Sequence, residues 1–522
     1  MVGNRQLSRT LGAGIGIGTA GLLATGVIGW LASQGNPLVY LISVVPIAAM
    51  VAIYFTSRPV WLLWTAVVVG LVISGLTKLY APQLQLIRWI LMPIAIVLAI
   101  HGLWALAGSH AAQQSSPTPK AIWWAIAFLG AVLLASFASP LVPDRFAIGF
   151  KGYFQVWGLL IALTFIAWPS GVIDRLPRLL LAIAFIQVPF VLHQLLILVP
   201  ARAHIGEGIV PIDIVSGTFG ASLEGGGANA ILNAFLTMVI AGLVAARQQD
   251  SISTTKLIAF ATPLAFPLFV NEAKVTVVYL FALFIVLFGR DIVQRPLRFL
   301  AASLSAGLLL AAMLTAFTLG APSGARVNSL ADLIRYTYEY NVADDDVGDQ
   351  LSRFGAMRFW LERHGLTDIK GTLIGHGIGY TRVGEIETPF RETSRLAVDG
   401  MTIEIDIKQK IGNTAVSALL WETGLLGLLC IFGLLLATFR SAGHLTRVYA
   451  NVPARVAALR AVRVAMVIIF ITLWHKSVLV FDVAYQTLLM LLIGYVAYWE
   501  RQSGMAGPRA MTPDSGTPTS NR

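Results

Sequence analysis

A few ionisable residues stand out against a hydrophobic background. Lys274 and Glu272 lie in NEAK, Glu422 in LLWETG and His475 in LWHKS, all next to or inside apolar runs. An ionisable side chain at the bilayer centre costs roughly 2.5–3.5 kcal/mol on insertion scales, so those that persist usually face a cavity or a partner. A second set, Arg353, Arg358 and Arg363, falls at i, i+5 and i+10 in LSRFGAMRFWLERHG. Successive members step about 140° around a helix, so only one or two can face a common ligand. Arginine offers a planar donor fork suited to phosphate; the competing reading is a solvated face with snorkelling stems. His376, in GHGIGY, is a candidate general base because imidazole titrates near neutrality and glycines let backbone approach a ligand. His364 closes the basic helix, where a cation suits the helix dipole, and reads as a cap.

These residues need elements to hold them, and composition names the elements. The chain has 522 residues, 57% hydrophobic and 12% charged, with mean hydropathy +0.76. That is the composition of an all-α, polytopic membrane protein. About fourteen stretches reach the roughly 20 apolar residues a span requires. We place them at about 11–34, 37–56, 59–78, 87–109, 121–140, 153–172, 177–199, 228–246, 257–270, 273–289, 299–320, 413–439, 460–475 and 480–499. Residues 1–320 thus hold eleven helices, 321–412 form one large, partly helical outer loop, 413–499 hold three more helices, and 500–522 form a disordered tail. The ninth and tenth spans read as a broken pair meeting at Asn271–Lys274, because Pro263 and Pro267 interrupt the first.

The net charge of +11 would suggest nucleic acid for a soluble chain; here no nucleic-acid partner is expected. Arginines such as Arg58, Arg175, Arg178, Arg290 and Arg447 concentrate in alternate loops, which puts those loops and both termini in the cytoplasm. Under that topology Lys274, Glu272, Glu422 and His475 sit toward the outer ends of their spans. Cys430, alone, is a packing residue. Asp344–Asp346 lack the spacing of a calcium loop and read as solvated. No metal site and no cofactor is expected: there is no Walker lysine loop, Rossmann fingerprint, HExxH or CxxC pair. An outward site has no ATP, so its energy must arrive in the substrate.

In the order VSGTFGASLEGGGANAILNAFL, NEAKVTVVYL, SRFGAMRFW, LIGHGIGYTR and NTAVSALLWETGLLGLL, the sequence resembles the O-antigen ligase and O-antigen polymerase family of membrane glycosyltransferases. The first six or so spans match only in being hydrophobic. The resemblance implies a metal-independent enzyme of the bacterial inner membrane, taking an undecaprenyl-diphosphate-linked oligosaccharide as donor on the periplasmic side. It further implies membrane lipid as surroundings, and a chain-length regulator and export machinery as partners. By the same resemblance Lys274, Arg353 and, as a loose substitute, Arg202 would hold the diphosphate; from the residues themselves, Arg358 of the arginine set joins them, and His376 or Glu422 would deprotonate the acceptor. Ligases of the family have a histidine where Asn413 stands nine residues before Glu422, which favours a polymerase. The alternatives are a ligase transferring glycan to a lipid acceptor and a precursor transporter or flippase.

Overall fold

The computed structural model of the chain describes residues 56–111, 117–202, 211–221, 228–271, 273–297, 352–381, 392–398, 401–407, 411–412 and 414–505, with single positions at 300, 304, 335, 338, 341 and 342. The chain divides into two compact units, Met1–Leu62 and Leu63–Arg522. Of the first, only Thr56–Leu62 is described, ending in the opening turn of a helix that begins at Pro59.

In chain order the long helices begin with α1 (Pro59–Tyr80), α2 (Pro82–Gly108, opening as a 3-10 turn) and α3 (Lys120–Ala138). A pair, α4 (Pro143–Phe154) and α5 (Gly158–Phe165), is bent by 42° at its break. Then come α6 (Val172–Arg202), α7 (Asn229–Gln248), the shorter α8 (Thr254–Val270) and α9 (Thr276–Gln294). The segment between α9 and the last helices contributes α10 (Arg353–Arg363) and α11 (Ile369–Ile374), followed by α12 (Ala415–Val448), α13 (Pro453–His475) and α14 (Val483–Met505). Eight of these described helices are long and apolar enough to cross a bilayer, or nine if the bent pair is one span. Each span expected between 59 and 289 and between 413 and 499 overlaps a helix, except that 153–172 is shifted: the bent pair there runs from Pro143 to Phe165. The expected spans 11–34, 37–56 and 299–320 lie outside the described residues, apart from the single positions 56, 300 and 304.

Why these residues pack as they do is visible in α3. Its alanines Ala121, Ala125, Ala131 and Ala135 are buried, whereas Trp123, Ile126 and Phe137 are exposed. A water-facing helix would reverse that pattern; small residues at helix contacts and large apolar ones outside are what lipid selects. α12 packs along α3 and α13. A buried cluster of Ala234, Ala241, Tyr279, Ala282, Leu283, Val464 and Ile468 joins α7, α9 and α13.

One departure from an all-helical reading lies between α11 and α12. β1 (Glu392–Val398) and β2 (Met401–Ile407) pair antiparallel, with Glu392 opposite Ile407 and Val398 opposite Met401. Asp399–Gly400 between them is the dipeptide a two-residue hairpin turn prefers.

Candidate functional site

The site is built on a stretch of backbone that is not helical. Pro211–Ile214 forms a single 3-10 turn, and Val215–Ala221 runs on as buried loop. Buried backbone amides and carbonyls need partners, and two glutamines of α6 supply them. Gln194 Oε1 accepts from the amides of Ser216 (3.0 Å) and Gly217 (2.8 Å), and its Nε2 donates to Gly217 O at 2.7 Å. Gln187 Oε1 accepts from Thr218 N at 2.8 Å, and Thr218 Oγ1 donates to Leu71 O of α1 at 2.8 Å. Asp213, at the head of this stretch, is thereby fixed in place.

The break expected at Asn271–Lys274 is present and is held the same way. Asn271 is buried and exchanges amide hydrogen bonds with Asn233 of α7, at 2.8 and 2.6 Å. Asn229 Nδ2 donates to Asn271 O at 3.2 Å and lies 3.5 Å from Asp213 Oδ1. Lys274 follows in the break and is exposed; Glu272 lies outside the described residues.

Around these two pieces the ends of several helices bring cations together. Asp213 lies in the electrostatic field of Arg202, Lys476 and Lys274. Lys476 in turn faces Asp482, Asp213, Lys78 and Arg353. Arg202 closes α6 and is 2% exposed, Lys78 stands at the end of α1, and Lys476 follows α13. Arg353 opens α10, with Nε donating to His475 O at 2.8 Å and Nη1 to Asn341 Oδ1 at 2.6 Å. Among the described residues five cations thus gather about two carboxylates, Asp213 and Asp482. Burial raises the Asp213 carboxyl above the usual range, and Arg202, Lys476, Lys274 and Asn229 pull it partly back. Asp482 is raised by burial too, opposed by the Tyr485 amide, which donates to Oδ1 at 2.7 Å, and by Lys78 and Lys476.

The arrangement brings three of the four expected diphosphate ligands, Lys274, Arg353 and Arg202, into one group. The fourth, Arg358, lies elsewhere: it is exposed and donates to Glu362 Oε1 at 2.8 Å. The five-residue spacing from Arg353 had already put the two on different faces. Lys78, Lys476, Asp213 and Asp482 join the group without having been expected in it. His475, expected through its ring, meets Arg353 through its backbone carbonyl.

A second constellation forms where the glycine-rich turn docks on α12. Gly424 has φ 61° and ψ −165°, which breaks α12 after a short first segment, Ala415–Thr423. That conformation is essentially reserved for glycine. The break frees two carbonyls, and the turn uses them: His376 N donates to Trp421 O and Gly377 N to Glu422 O, both at 2.9 Å. A Cβ on Gly375 would sit 2.7 Å from the Glu422 carbonyl carbon, so the two glycine motifs fit only each other. Glu422 is fully buried, and its Oε1 accepts from Thr381 N (3.0 Å) and Thr381 Oγ1 (2.6 Å).

His376 stacks on Tyr380, with ring centroids 4.5 Å apart, and on Trp421. Its Nε2 lies 3.2 Å from His364 Nε2, and His364 Nδ1 lies 2.8 Å from Asp368 Oδ2. His364, the C-cap residue of α10, is thus also a buried partner of this group. Burial, with the charge of His364, lowers His376 to about 4, against the opposing pull of Asp368. The Gly371 amide and His364 hold Asp368 below the usual carboxylate range. Arg353 and His364 bracket α10, eleven positions apart, or about 16 Å at 1.5 Å per residue. His376 and Glu422 therefore belong to a different place from the cations.

The helices define a polytopic membrane protein, with polar groups collected where helices end and break. Neither a scan of protein-family models nor a search of curated proteins returns a match to the chain.

Proposed function

We propose that the chain is a bacterial inner-membrane glycosyltransferase that polymerises undecaprenyl-diphosphate-linked oligosaccharide repeat units at the periplasmic face, with about fourteen spans and both termini in the cytoplasm. The observation that carries this reading is the group of Arg202, Lys274 and Lys476 about Asp213, with Lys78 and Arg353 beside Lys476, formed from sequence-distant helix ends. A lipid-linked sugar diphosphate carries negative charge on both phosphates, and more gathers on the leaving oxygen as the glycosidic bond breaks. Cations fixed in advance at that place stabilise the transition state without having to reorganise. Arg353 is the best held of them, because its guanidinium is oriented by His475 O and Asn341.

In this reading Asp213 is the proton acceptor, since a general base must lie within hydrogen-bond reach of the reacting hydroxyl. His376 and Glu422, at the far end of α10, shape the loop. The acceptor hydroxyl oxygen bonds to the anomeric carbon of the donor, and the bond from that carbon to the diphosphate oxygen breaks. Its electron pair leaves with undecaprenyl diphosphate, and the hydroxyl proton passes to Asp213. The test is reconstitution in liposomes with purified lipid-linked repeat units and no ATP. Chain growth is the expected result. Transfer to a second lipid would make the protein a ligase, and movement across the bilayer without new bonds would make it a flippase.

A further inference from the structure

Away from the cation group, the geometry points to a binding site for one divalent transition-metal ion, of the kind that prefers imidazole, formed by His364 and His376 with Asp368 behind it. The two Nε2 atoms face each other at 3.2 Å. Two nitrogens bound to one tetrahedral ion at about 2.0–2.1 Å would lie about 3.3 Å apart, so the rings need almost no movement to share an ion. Ligand atoms of all three residues fall within 4.8 Å of one another.

The surroundings hold both rings in that pose. His364 Nδ1 is engaged by Asp368 Oδ2 at 2.8 Å, while the Gly371 amide donates to Asp368 Oδ1 at 2.9 Å. A carboxylate on the far nitrogen of a ligating histidine is the usual outer support of such a site, fixing the tautomer that leaves Nε2 free to coordinate. Trp421 packs edge-on against His364, with centroids 4.9 Å apart, and stacks with His376. His376 is fixed at its backbone by Trp421 O. His364 is buried, but His376 and Asp368 are partly open to solvent, so an ion and its remaining water ligands have a way in. Bound there, the ion would pin the end of α10 to the glycine-rich turn on α12, about 16 Å from Arg353. The site is thus independent of the glycosyl-transfer reading, and its test reads binding, not activity.

Affinity for nitrogen ligands peaks at Cu²⁺ in the divalent series, which makes Cu²⁺ the probe. The full-length protein, purified in detergent and stripped with chelator, is titrated with Cu²⁺ and followed by electron paramagnetic resonance. The expected result is one tight equivalent whose spectrum carries coupling to two imidazole nitrogens and that equimolar Zn²⁺ does not displace. His376→Gln, at a half-open position where folding is retained, should weaken binding by at least a hundredfold. Asp368→Asn should weaken it by about tenfold. His101→Gln and His444→Gln should change nothing. A wild-type protein that takes up no tight equivalent, a bound ion without two-imidazole coupling, or His376→Gln binding like wild type would each overturn the site and leave the histidine pair as an ordinary hydrogen bond.

Discussion

Thr381 and Glu422 are joined twice: the amide and the hydroxyl of Thr381 both donate to one carboxylate oxygen, at 3.0 and 2.6 Å, with Glu422 fully buried. This fastens the end of the glycine-rich turn to the first segment of α12. Hydrogen bonds to a charged group are worth about 1.5–3 kcal/mol each, and leaving their donors unmatched costs more than replacing both sides. Glu422→Ala should therefore lower stability by about 2–4 kcal/mol, read as an earlier thermal transition in detergent. Glu422→Gln retains an acceptor oxygen, and polymer of normal length is expected from it. Loss of polymer in a stably inserted Glu422→Gln protein would return Glu422 to the chemistry.

Arg353 has the opposite profile. Its fork is held by His475 O and Asn341 Oδ1, contacts that the single ammonium of lysine cannot reproduce. Arg353→Ala should abolish long polymer while leaving the amount of inserted protein unchanged. Arg353→Lys should leave a shortened product, on the order of a hundredfold less than wild type, by analogy with loss of one preorganised donor. Gel profiles of polysaccharide from a complemented deletion strain measure both.

Asp213 connects activity to pH. Its carboxyl is raised by burial, with Arg202 pulling it back most strongly. A base that must be ionised loses activity as pH falls through its own value, so the acidic limb of the rate profile should lie above the ordinary carboxylate value of about 3.9. Stability runs the other way. As pH rises the unfolded chain gives up its proton first, so folding stability declines between the ordinary value and the raised one, and the loss is complete above the raised value. Asp213→Asn should be inactive yet melt at a higher temperature than wild type at pH 7. A lower melting temperature would show that the carboxylate is needed to separate the surrounding cations.

Gly424 tests how the two motifs fit. An added Cβ would enter a conformation glycine alone tolerates and run into the Leu373 carbonyl. Gly424→Ala should cost about 1–3 kcal/mol from the backbone alone, and should open the 375–381 turn to protease under conditions where wild type resists. Equal protection in both would mean that the turn docks without this break.

The membrane-length elements were legible because a span is written continuously in apolar residues. The break near Asn271–Lys274 is present, but not where the prolines stand: Pro263 and Pro267 lie inside α8, which runs unbroken from Thr254 to Val270. The hairpin was legible too, in Asp399–Gly400 between alternating segments, but it was hidden inside what composition presented as one loop. Lys274, Arg353 and Arg202 could be named because each is conspicuous in its own neighbourhood. Lys78, Lys476, Asp213 and Asp482 are conspicuous only together, since what unites them is the meeting of helix ends hundreds of residues apart, which no local pattern encodes. For His364 the signal existed: Asp368 stands one helical turn on, where the two side chains can meet. The dipole argument for a cap masked it.

The two α6 glutamines have a mechanical meaning beyond satisfying backbone groups. Seven positions apart, Gln187 and Gln194 tie successive points of the 216–218 strip to one helix, α6, and Thr218 adds a third fastening to α1. A strip secured at three points cannot slide or hinge without tearing all three, so that side behaves as a stationary anvil. On the proposed function, the give needed to pass a growing chain would come from the facing side, where Arg353 meets the end of α13 at the His475 carbonyl.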